Sequence, residues 1–152
     1  MAAIYRYPLQ TLEDLRMAAL PALRAALAEA ERRLLDNEHS MAGHQRSIRD
    51  AEEAMRAGMA NGVLPVDQHR VARLYLDHLQ GALAQLARDA TALQSDKEEC
   101  MAALARAKSA LRMLELHRAR LAAEHAISDA RCQQRELDDG WLGRVARRGG
   151  PT

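Results

Sequence analysis

The side chains able to do chemistry are few, and their spacing argues against a reaction centre. The six histidines are His39, His44, His69, His78, His117 and His125. His39 and His44 are five apart and His117 and His125 eight apart, whereas two imidazoles share a metal from one helix face at a spacing of four. The acid pairs Glu52-Glu53, Glu98-Glu99 and Asp138-Asp139 are adjacent, so on a helix they diverge and cannot share a proton. No serine or cysteine stands in a nucleophile motif. Gly149-Gly150 opens no helix and so makes no phosphate cradle. The expectation is a non-enzyme with no metal, cofactor or catalytic residue. Arg144, Arg147 and Arg148 form a small basic tail, read as a solvated terminus or a contact for an acidic protein surface.

The elements around these residues explain the absence of a pocket. From Ala72 the chain carries Leu76, Leu79, Leu83, Leu86, Ala90, Leu93, Lys97, Cys100, Leu104, Ala107, Leu111 and Leu114, in alternating steps of four and three. Only Lys97 in this series is polar. An average step of 3.5 residues lays one narrow apolar seam along a helix, as a coiled coil does. A second seam runs Leu20, Leu23, Leu27, Ala30, Leu34, Asn37, Met41, His44, Ile48, Ala51, Met55. Pro21 falls inside it and is expected to kink the helix or to divide off a short leading one. Thr11 with Asp14 resembles a capping box and marks the start of the first helix.

Between the seams, Gly58 to Pro65 holds two glycines, an Asn-Gly and a proline, the interior cluster of helix breakers. The expected order is helix 1 over about 11–57, a loop over 58–66, helix 2 over about 67–139 and a basic tail over 140–152. Gly81 is absorbed at a cost of about 1 kcal/mol. Helix 2 would be roughly 110 Å long.

Folding at the loop pairs residues whose numbers sum to 127: Met55 with Ala72, Met41 with Leu86, Leu27 with Cys100. The fold class expected is all-α, an elongated antiparallel two-helix coiled-coil hairpin in one domain, with helix 2 extending beyond helix 1. Its polar seam positions are Asn37 against Ala90, His44 near Leu83 and Lys97 near Ala30; such residues fix register at some cost in stability. If helix 1 begins at Thr11, its partner is Leu116. Residues 117–139 are then an unpaired overhang of roughly 35 Å. An isolated helix with a weak apolar stripe is marginal in water, so a partner is expected to receive it. Tyr75, Leu79 and Ala82 make a further row at i, i+4 and i+7, available for hairpin packing or for docking.

Composition agrees with helices and narrows the partners. Among 152 residues there is no Phe, one Trp and three Tyr, too few large aromatics for an ordinary globular core. With 22 basic and 21 acidic residues the formal net charge is +1, which supplies no field for nucleic acid or an anionic membrane. No run of 18 apolar residues exists, so no membrane span is expected, and the N-terminal stretch lacks a signal-peptide core. Cys100 and Cys132 on one helix would lie about 48 Å apart, too far for a bond within the chain. A cytoplasmic location follows as the expectation.

Three stretches resemble the type III secretion ATPase stalk family, the YscO/FliJ-like proteins. Leu9-Gln-Thr-Leu-Glu-Asp-Leu15 resembles its short leading segment. Met59-Ala-Asn-Gly-Val63 resembles its connection, and Gln133-Gln-Arg-Glu-Leu-Asp-Asp139 with the basic end resembles its C-terminal signature. The resemblance implies a central stalk whose end bearing both termini enters a hexameric secretion ATPase ring. It also implies contact with the cytoplasmic domain of an export gate protein and with export chaperones. Residues expected at the ring are Arg118, Leu121, Ile127, Arg131, Gln134, Arg135, Leu137 and Asp138. Those expected at the gate are Tyr75, Leu79 and Ala82. The chain departs from the family in lacking Phe and in carrying Pro21 within helix 1. The alternatives are a secretion chaperone that masks a partner's helix and a purely structural coiled-coil dimer.

Overall fold

The computed structural model describes residues 5–62 and 65–149. They form an all-α hairpin of two packed helices, α1 Gln10–Ala60 and the longer α2 Val66–Arg148. Pro8 fixes φ just ahead of α1, and the backbone bonds from Gln10 N to Tyr7 O at 3.2 Å and from Glu13 N to Leu9 O at 3.0 Å close the first turn. Thr11 therefore lies inside the helix and is not its cap. Pro21 does not divide α1, which is helical on both sides of it.

α1 also runs past Gly58, to Ala60. Gly62 ends it with φ +63°, the left-handed conformation that glycine adopts at helix ends without steric cost. Its N–H reaches Met59 O at 3.1 Å. The expected loop over 58–66 is thus shorter, beginning at Asn61 and ending at Pro65; Val63 and Leu64 lie outside the described residues. Pro65 O accepts from His69 N at 3.0 Å to open α2.

The expected end of helix 2 at Asp139 is corrected. α2 continues through Gly140 and Gly143 to Arg148, where Gly149 N caps Val145 O at 3.0 Å. The basic tail is therefore helical as far as Arg148. Two isolated glycines cost about 1 kcal/mol each against alanine, which good helix formers on either side outweigh. A Cβ at Gly140 meets nothing within 4 Å, so packing does not require glycine there. Gly140→Ala is expected to slow amide hydrogen exchange of the surrounding turns about fivefold, read by mass spectrometry.

The chain divides into two packed units. One is Pro21–Ala105 and holds the loop; the other joins the residues up to Leu20 with those from Arg106 on. In the first, every seam position from Leu23 to Met55 and from Ala72 to Leu104 is buried or half-buried. Asn37 Nδ2 donates to Leu86 O at 3.2 Å. In a helix that carbonyl also receives the N–H of Ala90, so Asn37 sits on the turn its register assigns to it. Lys97 Nζ lies 3.9 Å from Glu31 Oε1, beside Ala30 as expected. His44 is half-buried and its Nδ1 stands 2.9 Å from Ser40 O of its own helix. On the outer face Arg32 and Arg33 hydrogen-bond to Glu29 and hold its carboxyl at about 2.

Asn37 is buried, yet its Oδ1 has no hydrogen-bond partner. Such an atom costs stability and discriminates against slipped pairings. Asn37→Leu is expected to stabilise the hairpin by about 1–2 kcal/mol while loosening register. Urea unfolding reads the first effect, and size-exclusion chromatography the second as new oligomers.

Candidate functional site

The unit at the chain termini holds the surface with the fewest internal partners. Leu111 is buried, and Ala107 and Leu114 are half-buried, which continues the seam. Beyond Leu114 the expected overhang does not begin at 117. The non-helical segment ahead of α1 lies on the next turns of α2. Tyr7, 5% exposed, has its hydroxyl 3.3 Å from Leu114 O and 2.9 Å from His117 Nδ1, with its ring centroid 5.8 Å from the His117 ring. The Tyr5 ring lies tilted against that of His125, with centroids 5.0 Å apart. Glu13 is 4% exposed, and both its carboxylate oxygens stand 3.4 Å from Arg118 Nη1.

The reason is the rise of the chain. A helix advances about 1.5 Å per residue, an extended segment about 3.3 Å. Residues 5–7, ahead of the turn at Pro8 and Leu9, thus cover roughly 10 Å, about six or seven residues of α2. Counting pairs as if helix 1 were the whole partner misses this strap. The available signal was the Tyr5-x-Tyr7 alternation, which places both rings on one side of an extended chain.

Burial raises the Tyr7 hydroxyl above its ordinary pKa of 10.0; Glu13 and then Tyr5 add to the rise, and Arg118 opposes it. A raised value in the folded state contributes stability that is complete below pH 10 and is lost as pH climbs through the folded value. In an absorbance titration at alkaline pH, one tyrosine is expected to ionise above 10, with the strap loosening in step. Tyr7→Phe is expected to remove that late phase.

Among the described residues, α2 is therefore without a partner from near residue 126 to 148, roughly 35 Å. Only Asp129 and Gly143 in it are less than exposed. Of the residues expected at the ring, Arg118 is paired with Glu13 and Leu121 is half-buried. Ile127, Arg131, Gln134, Arg135, Leu137 and Asp138 are all exposed. Gln134 Nε2 donates to Asp138 Oδ1 at 3.3 Å, so these two are partly satisfied within the helix.

A stronger feature follows them. Leu137, Trp141 and Val145 step by four along one face, with Leu142 beside them, and all are exposed, Trp141 by 59%. Arg144, Arg147 and Arg148 accompany this row, and none has an acidic partner within 4 Å among the described residues. An exposed apolar row with unpaired arginines beside it has the composition by which protein surfaces dock. The i, i+4, i+8 spacing of Leu137, Trp141 and Val145 was visible in the sequence, but a helix ended at Asp139 cuts through it.

In the loop-bearing unit the expected gate row splits. Leu79 is 8% exposed and belongs to the seam; Ala82 is half-buried. Tyr75 is 49% exposed, next to the exposed Val71 and Leu74. With Asp67, Gln68 and Ala72, Val71 and Tyr75 line a shallow groove. Among the described residues no helix is long and apolar enough to cross a membrane, and no group of three His, Cys, Asp or Glu is placed to hold a metal.

No curated protein and no solved structure matches the chain. The family model described as Flagellar FliJ protein matches residues 5–150, nearly the whole sequence and both features just described. With a helical hairpin, a longer second helix and this match, the chain belongs to the FliJ family of flagellar and type III export proteins.

Proposed function

We propose that the protein is a non-enzymatic central stalk of a type III export apparatus, working in the cytoplasm. Residues 126–148 enter a hexameric secretion ATPase ring, and the Val71–Tyr75 face meets the cytoplasmic domain of the export gate protein. Export chaperones are further partners of the same exposed faces. The observation that carries this reading is the end of α2 with its exposed Leu137–Trp141–Val145 row, an apolar surface that no other described residue covers. The coupling is allosteric: one asymmetric helix end in a symmetric pore contacts the subunits unequally and favours different states around the ring.

The test is ATP turnover of the cognate ATPase with and without the full-length protein, and with a chain ended after His125. Stimulation by the first and not the second is expected. Equal turnover in all three, with no co-purification, sinks the reading. A stable one-to-one complex with an exported protein and no change in turnover would favour a chaperone instead.

A further inference from the structure

The first turns of α1 are amphipathic in the reverse sense. Glu13 faces α2 and is 4% exposed, while Leu12 and Leu15 look outward, Leu15 by 65%. Ala19 is also exposed. Leu12, Leu15 and Ala19 step by three and four, the pattern of a seam. It lies one residue away from the row that is in fact inward, Glu13 and Leu20, and one residue is about 100° around a helix. From Leu23 onward the apolar row and the buried row coincide. The start of α1 is therefore held in an orientation that its own apolar residues oppose.

What holds it is polar and thin. Among the described residues the buried Glu13 carboxylate has one cation, the half-exposed Arg118, at 3.4 Å to each oxygen. Tyr7 and Tyr5 add their rings against His117 and His125, but the Tyr5 hydroxyl is buried without a partner. Immediately after the row comes Pro21, inside the helix. Proline has no N–H, so the carbonyl four residues back, that of Met17, has no helical donor. A change of twist there gives up fewer hydrogen bonds than elsewhere in the helix.

We propose that residues 10–19 are a two-position element. In the position described, Glu13 is latched to Arg118 and the leucines face outward. In the other, the segment is rolled by one residue, so that Leu12, Leu15 and Ala19 lie on α2 and Glu13 is in water. Loss of the Glu13–Arg118 pair selects the second position, as when an acidic group of a partner takes Arg118. The two positions offer a partner different surfaces, an apolar row in the first and an exposed Glu13 carboxylate in the second.

The experiment uses the full chain with Cys100→Ala and Cys132→Ser and a single reporter thiol, Leu12→Cys, or Leu15→Cys as a second reporter. The rate of thiol labelling is measured, with far-UV circular dichroism as the check on helix content. Labelling is expected to be fast in this parent and about tenfold slower once Arg118→Glu drives Glu13 out. It is expected to be fast again in the charge swap Glu13→Arg with Arg118→Glu. Unchanged labelling in the Arg118→Glu chain overturns the proposal, as does faster labelling with loss of helix, because the segment then frays instead of rolling. Slowing that the swap does not reverse also overturns it, since the pair would not be the latch.

Discussion

Alanine at Leu137, Trp141 and Val145 together is expected to weaken binding to the secretion ATPase at least ~100-fold, since buried interface aromatics and aliphatics each contribute about 1 kcal/mol or more when truncated. The thermal midpoint of the free protein should not move measurably. All three side chains are exposed and lie on a stretch with no partner among the described residues, so their removal takes little from the folded state. Isothermal calorimetry with the cognate ATPase reads the first effect and calorimetric melting the second. A midpoint that falls with the affinity would mean that the row packs within the chain or a self-dimer. An unchanged affinity would remove the row from the ring surface. The arginines answer to a different variable. Replacing Arg144, Arg147 and Arg148 by glutamine should leave most of the affinity at high salt and reduce it at low salt, because exposed charges act through a screened field.

The second large effect separates stability from recognition on neighbouring residues. Leu79→Ala is expected to destabilise the hairpin by about 2–3 kcal/mol, the cost of removing a buried leucine and leaving a cavity. Tyr75→Ala should cost less than about 0.5 kcal/mol, because its ring is half exposed beside Val71 and Leu74. If the Val71–Tyr75 face meets the export gate, Tyr75→Ala should weaken that contact about tenfold or more, while Leu79→Ala at a temperature where the chain is still folded leaves it intact. Urea unfolding and a gate-domain binding titration report the two columns of this comparison. A gate affinity that tracks Leu79 and ignores Tyr75 would return the contact to the seam.

The two seams were legible because burial follows a fixed period. Every position of the 3.5-residue series within the loop-bearing unit is buried or half-buried, and the Asn37–Leu86 bond sits where the mirror pairing puts it. The same local reasoning failed at the helix ends. Gly58 and Gly140 looked like stops, but a single glycine costs about 1 kcal/mol, less than the neighbouring helix formers contribute together. The stop at Gly62 is real because its φ of +63° is one that only glycine takes without strain. The Leu137–Trp141–Val145 row was lost to the misplaced stop at Asp139. The expected gate row divides for a related reason: Leu79 belongs to the seam and to the proposed face in sequence, and in space it is buried in the seam while Tyr75 is exposed.

What the sequence determined by itself is everything governed by local period: two helices, their seam residues, the register across the loop, and the existence of a second helix longer than the first. Those follow from spacing, and spacing is complete in one dimension. Only the tertiary structure decided where the longer helix becomes free. Tyr5, Tyr7 and Glu13 cover α2 as far as His125 through tilted ring contacts, a hydroxyl and an ion pair. No periodicity announces such contacts, because they join residues more than a hundred positions apart and depend on an extended segment whose rise is about twice that of a helix. Among the described residues that strap sets where α2 becomes free, and so the free surface starts near residue 126 and not at 117.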